Sequence, residues 1–223
     1  DLQQVLKRTE MLPPDVALRI VAQACEGLRA AHEARVMHRD IKPANLFLAR
    51  TPTGEVVVKI LDFGIAKAAN STLGDATRTG EVIGSPHYMS PEQVRAEKDL
   101  DYRTDLWSLG IILFRMLVGS LPFPGDQLGP VLAKILTDPI PVPSQHAPDL
   151  GTSLDAFFAR ALARDKLQRF QSVVDMVEAF QLAAGGKDAF PSISMSLGTG
   201  AVPAAVPPGG GTAMWVPQGP QTG

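Results

Sequence analysis

A mainly α-helical α+β body with a small amount of strand is the fold class that three features of this sequence predict. Val16, Ile20, Ala24, Leu28 and Ala31 recur every three or four residues, the spacing of one apolar helix face. Leu106, Trp107, Leu109, Ile111, Ile112, Leu113 and Met116 crowd into one stretch, a helix apolar nearly all round and therefore buried. Two short apolar segments, Leu46-Phe47-Leu48 and Val56 to Leu61, flank Gly54 and read as strands around a turn.

Taken in order, Leu2, Val5 and Leu6 predict a short first helix. Pro13-Pro14-Asp15 opens the long second helix, with proline near its start and an acid in its first turn, and the helix runs to about Ala34. Residues 64–86 lack periodicity and hold Ser71, Thr72, Thr77, Thr79 and Ser85 among glycines, which predicts a long loop. Loops of more than about 15 residues tend to carry function. Helices are then expected from Pro91 to about Glu97, Thr104 to Leu117, Gln127 to Leu136, Leu154 to Leu162 and Ser172 to Leu182, with a Pro-rich connector at 139–148. Gly119 and Pro122 end the buried helix.

The mixed composition before about residue 184 suits one folded unit, 1–184. Residues 185–223, with Pro203, Pro207-Pro208-Gly209-Gly210-Gly211 and Pro217, bury too little apolar surface to offset ordering entropy and read as a disordered linker. Met214-Trp215-Val216 is an isolated apolar triplet within it. The charge balance, 21 Lys and Arg against 23 Asp and Glu, gives −2, so nothing marks a nucleic-acid or membrane-surface binder. The one cysteine, Cys25, excludes an internal disulfide framework, fits a reducing compartment and reads as a core residue. No apolar run approaches the ~20 residues of a membrane span. Ile111 to Val118 is too short and is interrupted by Arg115. Asp1 in place of Met reads as an internal boundary rather than a natural start.

Three motifs carry chemistry. His38-Arg39-Asp40-Ile41-Lys42-Pro43-Ala44-Asn45 is followed by Asp62-Phe63-Gly64 after an apolar strand, and then by Ser90-Pro91-Glu92. A carboxylate, a lysine two residues on, an amide and a second carboxylate are the groups needed to orient a hydroxyl, balance phosphoryl charge and hold a hard cation through oxygen. Each fragment alone is common on surfaces and in turns; the ordered set is specific.

In these motifs the chain resembles the eukaryotic-type serine/threonine protein kinase family. Ala31-His32, Lys42-Pro43-Ala44-Asn45, Ile65-Ala66-Lys67 and Met89-Ser90-Pro91-Glu92-Gln93 resemble its bacterial branch. The resemblance implies a protein-kinase-like fold (α+β), specifically the mainly helical C-terminal lobe with short β-strands. It implies ATP-dependent phosphoryl transfer to protein Ser/Thr hydroxyls, with Mg²⁺, or Mn²⁺ in its place, as cofactor. Asp40 would accept the hydroxyl proton, Lys42 would reach the transferring phosphoryl group, and Asn45 and Asp62 would hold the metal. Phe47 would floor the adenine pocket and Leu61 line its back. Gly64 would give the metal-binding turn its freedom.

The segment from Asp62 to Glu92 resembles the family's activation segment. Arg39 would pair with a phosphorylated residue there, Thr77 and Thr79 being the best acceptors and Ser71 and Thr72 next. Ser85 stands where the family places a hydroxyl that bonds the catalytic Asp and Lys, while Pro86 is less typical. His38 would pack beneath Phe63 and be tied to Asp105, which would cap the catalytic-loop backbone. Glu92 and Arg169 would form a buried ion pair. His32, His87 and His146 show no ligand pattern.

No Gly-x-Gly-x-x-Gly, strand lysine or partner glutamate precedes the catalytic loop, so the N-terminal lobe is absent and the chain is expected to begin just after the hinge. The fragment alone is expected to transfer phosphate negligibly and to expose an apolar face toward the missing lobe. Expected partners are that lobe, protein substrates and a second copy for autophosphorylation. Expected placement is cytoplasmic, with a membrane anchor downstream of the linker as in many bacterial relatives. The alternative is a non-catalytic kinase-fold scaffold; a degenerate scaffold commonly loses Asp40, Asn45 or Asp62, and all three stand here. A small-molecule phosphotransferase ranks last, because it would lack the Glu92 to Arg169 lock.

Overall fold

Residues 1–62 and 86–185 are described by a computed structural model. The expected long loop, with Phe63, Gly64, Lys67, Ser71, Thr72, Thr77, Thr79 and Ser85, lies outside the described residues, as does the stretch from 186 that holds Met214-Trp215-Val216.

Helix α1, Leu2–Arg8, starts at Asp1, whose carboxylate accepts the Gln4 N–H at 2.8 Å, and buries Leu2 and Leu6. Helix α2, Pro14–Glu33, carries Pro14 in its first turn, where its missing N–H costs nothing. The α2 face buries Ala17, Leu18, Val21, Ala24, Cys25 and Leu28. Burial pushes the Cys25 thiol up to about 12, so the residue serves as packing.

Strands β1, Leu46–Arg50, and β2, Val56–Ile60, pair antiparallel, from Leu46 opposite Ile60 to Arg50 opposite Val56. Gly54, with φ of 88°, supplies the turn. The far edge of β2 is satisfied from α2: Gln23 Nε2 donates to the Val56 carbonyl at 3.2 Å, and Gln23 Oε1 accepts the Val58 N–H at 2.8 Å.

Helix α3 is Pro91–Val94, shorter than the expected run to Glu97. It opens on a Ser90 and Gln93 capping box and stops because Ala96 adopts a left-handed φ of 53°. Helix α4, Arg103–Val118, is buried on nearly every face. Its C-terminus is closed by Gly119 at φ of 82°. A Cβ on Gly119 would meet the Glu10 carbonyl at 3.0 Å.

Helix α5 is Leu128–Thr137. The expected irregular connector instead holds helix α6, Pro143–His146, and a 3-10 turn, Pro148–Leu150, both started by proline. Helix α7, Ser153–Ala161, and helix α8, Val173–Ala183, complete the described residues. Phe157 packs against Phe158, Phe170 and Phe180 with ring centroids 5.1 to 5.3 Å apart. Among the described residues the sheet has two strands, and no helix is long and apolar enough to cross a membrane.

Candidate active site

The loop between α2 and β1 departs from regular structure, and α4 holds it. Asp105, fully buried in the first turn of α4, accepts the main-chain N–H of His38 at 3.0 Å and that of Arg39 at 2.8 Å. Its Oδ2 lies 2.9 Å from His32 Nε2; a carboxylate only accepts, so Nε2 carries the proton. The sequence shows no ligand pattern at His32, whose partner stands 73 residues away. These bonds hold Arg39 at a φ of 63°, a region that side chains with a Cβ disfavour.

The His38 ring is turned from Asp105 toward the loop itself. Its Nδ1 accepts the Asp40 N–H at 3.3 Å, and its Nε2 donates to the Leu61 carbonyl at 2.9 Å. Asp40 and the approach to Asp62 therefore share one imidazole. Asp62 itself is exposed, with a left-handed φ of 54°.

Lys42, Asn45 and Asp40 meet. Lys42 Nζ lies 2.8 Å from Asp40 Oδ2. Asn45 Nδ2 donates to the Asp40 carbonyl at 2.9 Å and reaches Asp40 Oδ2 at 3.5 Å. A short 3-10 turn, Pro43–Asn45, brings Asn45 back under Asp40. Since the amide nitrogen is spent on Asp40, the amide oxygen of Asn45 is the group left to face a cation. The Asn45 carbonyl also accepts the Leu61 N–H at 2.9 Å, which ties this turn to the chain entering Asp62.

Asn45 and Asp62 supply two hard oxygen donors, a set that fits Mg²⁺ completed by phosphate and water. Among the described residues no group of three or more His, Cys, Asp or Glu side chains could hold a metal by itself. Phe47 and Leu61 are 43% and 40% exposed, and Val56 and Val57 on β2 are also exposed. Phe47 and Leu61 leave apolar surface beside the loop, while Val56 and Val57 lie at the turn end of the hairpin, opposite Arg50 and Ala49. A separate cavity of about 410 Å³ between α7 and α8, lined by Phe157, Arg160, Phe170 and Leu182 among others, shares no residue with this constellation.

Arg169 and Glu92 form a buried two-point ion pair, at 2.7 and 2.6 Å. Thr104 Oγ1 adds a third bond to Glu92 at 3.1 Å. Burial alone would raise the Glu92 carboxyl, but the Arg169 hydrogen bonds and charge outweigh it and hold the group below its ordinary value. Arg169 also donates to the carbonyls of Ala163, Arg103 and Arg164 and lies over the Trp107 ring.

Ahead of this pair, a 3-10 turn, Pro86–Tyr88, is fixed by Ser108 Oγ donating to the Tyr88 carbonyl at 2.7 Å, and His87 Nε2 lies 2.8 Å from the Gly125 carbonyl. Burial pushes the Tyr88 phenol up to about 12. Arg39 Nε is buried with no acceptor among the described residues. Phe63, Thr77, Thr79 and Ser85, expected at this site, lie outside the described residues.

A family model described as protein kinase domain matches residues 1–179. Serine/threonine-protein kinase PknB of Mycobacterium leprae is 40% identical over 177 residues, covering 78% of this chain and 27% of that protein. Serine/threonine-protein kinase pkn3 of Myxococcus xanthus is 41% identical over 173 residues, covering 76% of this chain and 31% of that protein. The chain thus spans about a quarter to a third of the length of these curated relatives. Among solved structures, the PknI kinase domain of Mycobacterium tuberculosis superposes with a TM-score of 0.62 at 26% identity, covering 82% of this chain and 62% of that one.

Proposed function

This chain belongs to the protein kinase domain family as a bacterial Ser/Thr-kinase-like domain, and we propose that its parent protein transfers the terminal phosphoryl group of ATP to Ser or Thr hydroxyls of proteins. The observation that carries this reading is the contact of Lys42 with Asp40 at 2.8 Å, with Asn45 hooked to the Asp40 carbonyl at 2.9 Å. The carboxylate is held by two neighbours on its own loop.

In this reading Asp40 accepts the hydroxyl proton as the oxygen attacks. Lys42 keeps Asp40 in place and offers a compact positive charge to the transferring group. Asn45, through its amide oxygen, and Asp62, through its carboxylate, hold Mg²⁺ or Mn²⁺. The metal, when bound, neutralises phosphate charge and orients the phosphates. His38 aligns Asp40 with the chain entering Asp62. The exposed apolar surface of Phe47 and Leu61 receives the adenine, and Val57, on the same face of the hairpin as Phe47, extends it toward the N-terminal lobe of the parent. That makes residues 1–184 the C-terminal lobe and 185–223 a linker.

Arg39 is read as the partner of a phosphate on Thr77 or Thr79; its buried, unpartnered Nε supports this, because such a donor calls for an acceptor. Ser85 is read as a further hydroxyl bonding Asp40 and Lys42. The parent is placed in the cytoplasm, with any membrane anchor beyond the linker. Its partners are protein substrates and a second copy for autophosphorylation.

The test is transfer from ATP by the complete parent to a generic basic protein and to itself, followed by phosphoamino-acid analysis. Label on serine and threonine supports the reading. A folded parent that transfers nothing with either Mg²⁺ or Mn²⁺ overturns it in favour of a non-catalytic scaffold.

A further inference from the structure

The peptide group joining Arg39 to Asp40 is gripped at both ends by side chains. Its N–H donates to His38 Nδ1 at 3.3 Å, and its carbonyl accepts from Gln93 Nε2 at 2.8 Å. One residue upstream, the Arg39 N–H is held by Asp105 Oδ1 at 2.8 Å. Arg39 sits at a φ of 63°, so the peptide is kept in place by these partners rather than by its own preference.

Gln93 belongs to α3, 54 residues further along the chain. Its side chain faces two ways. Oε1 accepts the Ser90 N–H at 3.0 Å, which is its half of the capping box, while the Ser90 hydroxyl accepts the Gln93 N–H at 3.4 Å. A cap needs only that oxygen. The amide nitrogen does something a cap does not require: it crosses to the catalytic loop and takes the last carbonyl before Asp40. A glutamate would cap α3 equally well, but only an amide offers both an acceptor to Ser90 and a donor to Arg39.

We propose that Gln93 is a positioning residue for Asp40, coupling the end of the activation segment to the catalytic carboxylate through the Arg39 carbonyl. When Ser90 and α3 are seated, the hook fixes the plane of the Arg39–Asp40 peptide, and with it the direction of the Asp40 side chain toward Lys42 and Asn45. When that segment end is displaced, the hook is withdrawn, and the strained peptide is free to rotate. The seating of α3 is thereby transmitted to Asp40 through one side chain. The inference rests on the kinase reading above and adds one regulatory residue to it.

The test uses the complete parent protein and three variants. Gln93→Glu keeps the shape and the acceptor for Ser90 but sets an oxygen against the Arg39 carbonyl. Gln93→Met removes both bonds without that repulsion. Ser90→Ala removes the hydroxyl half of the cap and leaves the Gln93 to Arg39 bond. Displacement of a reacting group by about 1 Å can cost on the order of 100-fold. The expected result is a kcat about 10- to 100-fold lower for Gln93→Glu, a smaller fall for Gln93→Met, and KM for ATP unchanged in both. Ser90→Ala should lower the melting temperature and leave kcat near that of the wild type. Equal kcat in wild type and Gln93→Glu overturns the inference. So does a parallel loss in Gln93→Glu and Ser90→Ala, which would make the amide a cap and nothing more. An inactive wild type overturns the kinase reading and this inference with it; an active wild type beside an unimpaired Gln93→Glu overturns this inference alone.

Discussion

Arg169 grips Glu92 through two parallel hydrogen bonds, Nη1 to Oε1 at 2.7 Å and Nη2 to Oε2 at 2.6 Å, with both side chains shut away from solvent. Removing either partner strands a charge in the interior, which costs about 3–5 kcal/mol. Arg169→Met and Glu92→Leu are each expected to lower unfolding free energy by about that amount in urea titrations. The double substitution should recover part of the loss, because no lone charge remains.

The same pair gives the fold a pH dependence. The Glu92 carboxyl is held below its ordinary 4.5 in the folded chain. The unfolded chain therefore binds a proton more readily, and the pair's contribution is complete above the unfolded value. It is lost as pH falls from about 4.5 through the lower folded value. Unfolding free energy measured from pH 7 down to pH 3 should drop more steeply in the wild type than in the double variant.

Asp105 predicts a second loss. Asp105→Asn puts an amide nitrogen where one oxygen now accepts from His38, Arg39 or His32. A buried donor left without its acceptor costs about 1–3 kcal/mol. The expected outcome is that much destabilisation by thermal or urea unfolding. Faster amide exchange at His38 and Arg39 than at the core of α4 should accompany it.

Gly119→Ala tests the close of α4. The position has a φ of 82°, and a Cβ would meet both the Glu10 carbonyl and Met11 Cγ at 3.0 Å. Left-handed strain of this kind costs about 1–3 kcal/mol, and a melting-temperature fall of several degrees should report it.

Phosphate on the segment is a fifth expectation. Mass mapping of the complete, active parent should find Thr77 or Thr79 phosphorylated. Their joint replacement by Ala should lower activity, because Arg39 Nε would lack the acceptor its burial calls for. An unmodified segment in a fully active parent contradicts this.

The legibility of the chain in its sequence follows the range of the forces involved. Periodicity at Ile20, Ala24 and Leu28 revealed α2, and the all-apolar run around Trp107 revealed α4, because burial writes directly on residue type. The end of α3 was not legible: Ala96 turns left-handed there, and alanine is an ordinary helix former. Nor was α6, a four-residue helix inside a stretch whose prolines read as a connector.

At the candidate site, Asp40, Lys42 and Asn45 stand close in sequence and meet in space. Their supports do not. His32 reaches Asp105 across 73 residues and Gln93 reaches Arg39 across 54, and neither leaves a local pattern. The resemblance supplied Asp105, Glu92 and Arg169, while the roles of His32 and Gln93 emerge only from the packing of α2, α3 and α4.

The proposed phosphoryl transfer depends on Asp40, held by Lys42 and Asn45. Its most direct test is the ATP-to-protein transfer rate of the complete parent beside its Asp40→Asn form, with melting temperatures taken on both. A loss of about 100- to 10,000-fold at unchanged stability is the predicted result, the range expected for removal of a general base. Equal rates in two folded proteins would mean that Asp40 does not accept the hydroxyl proton.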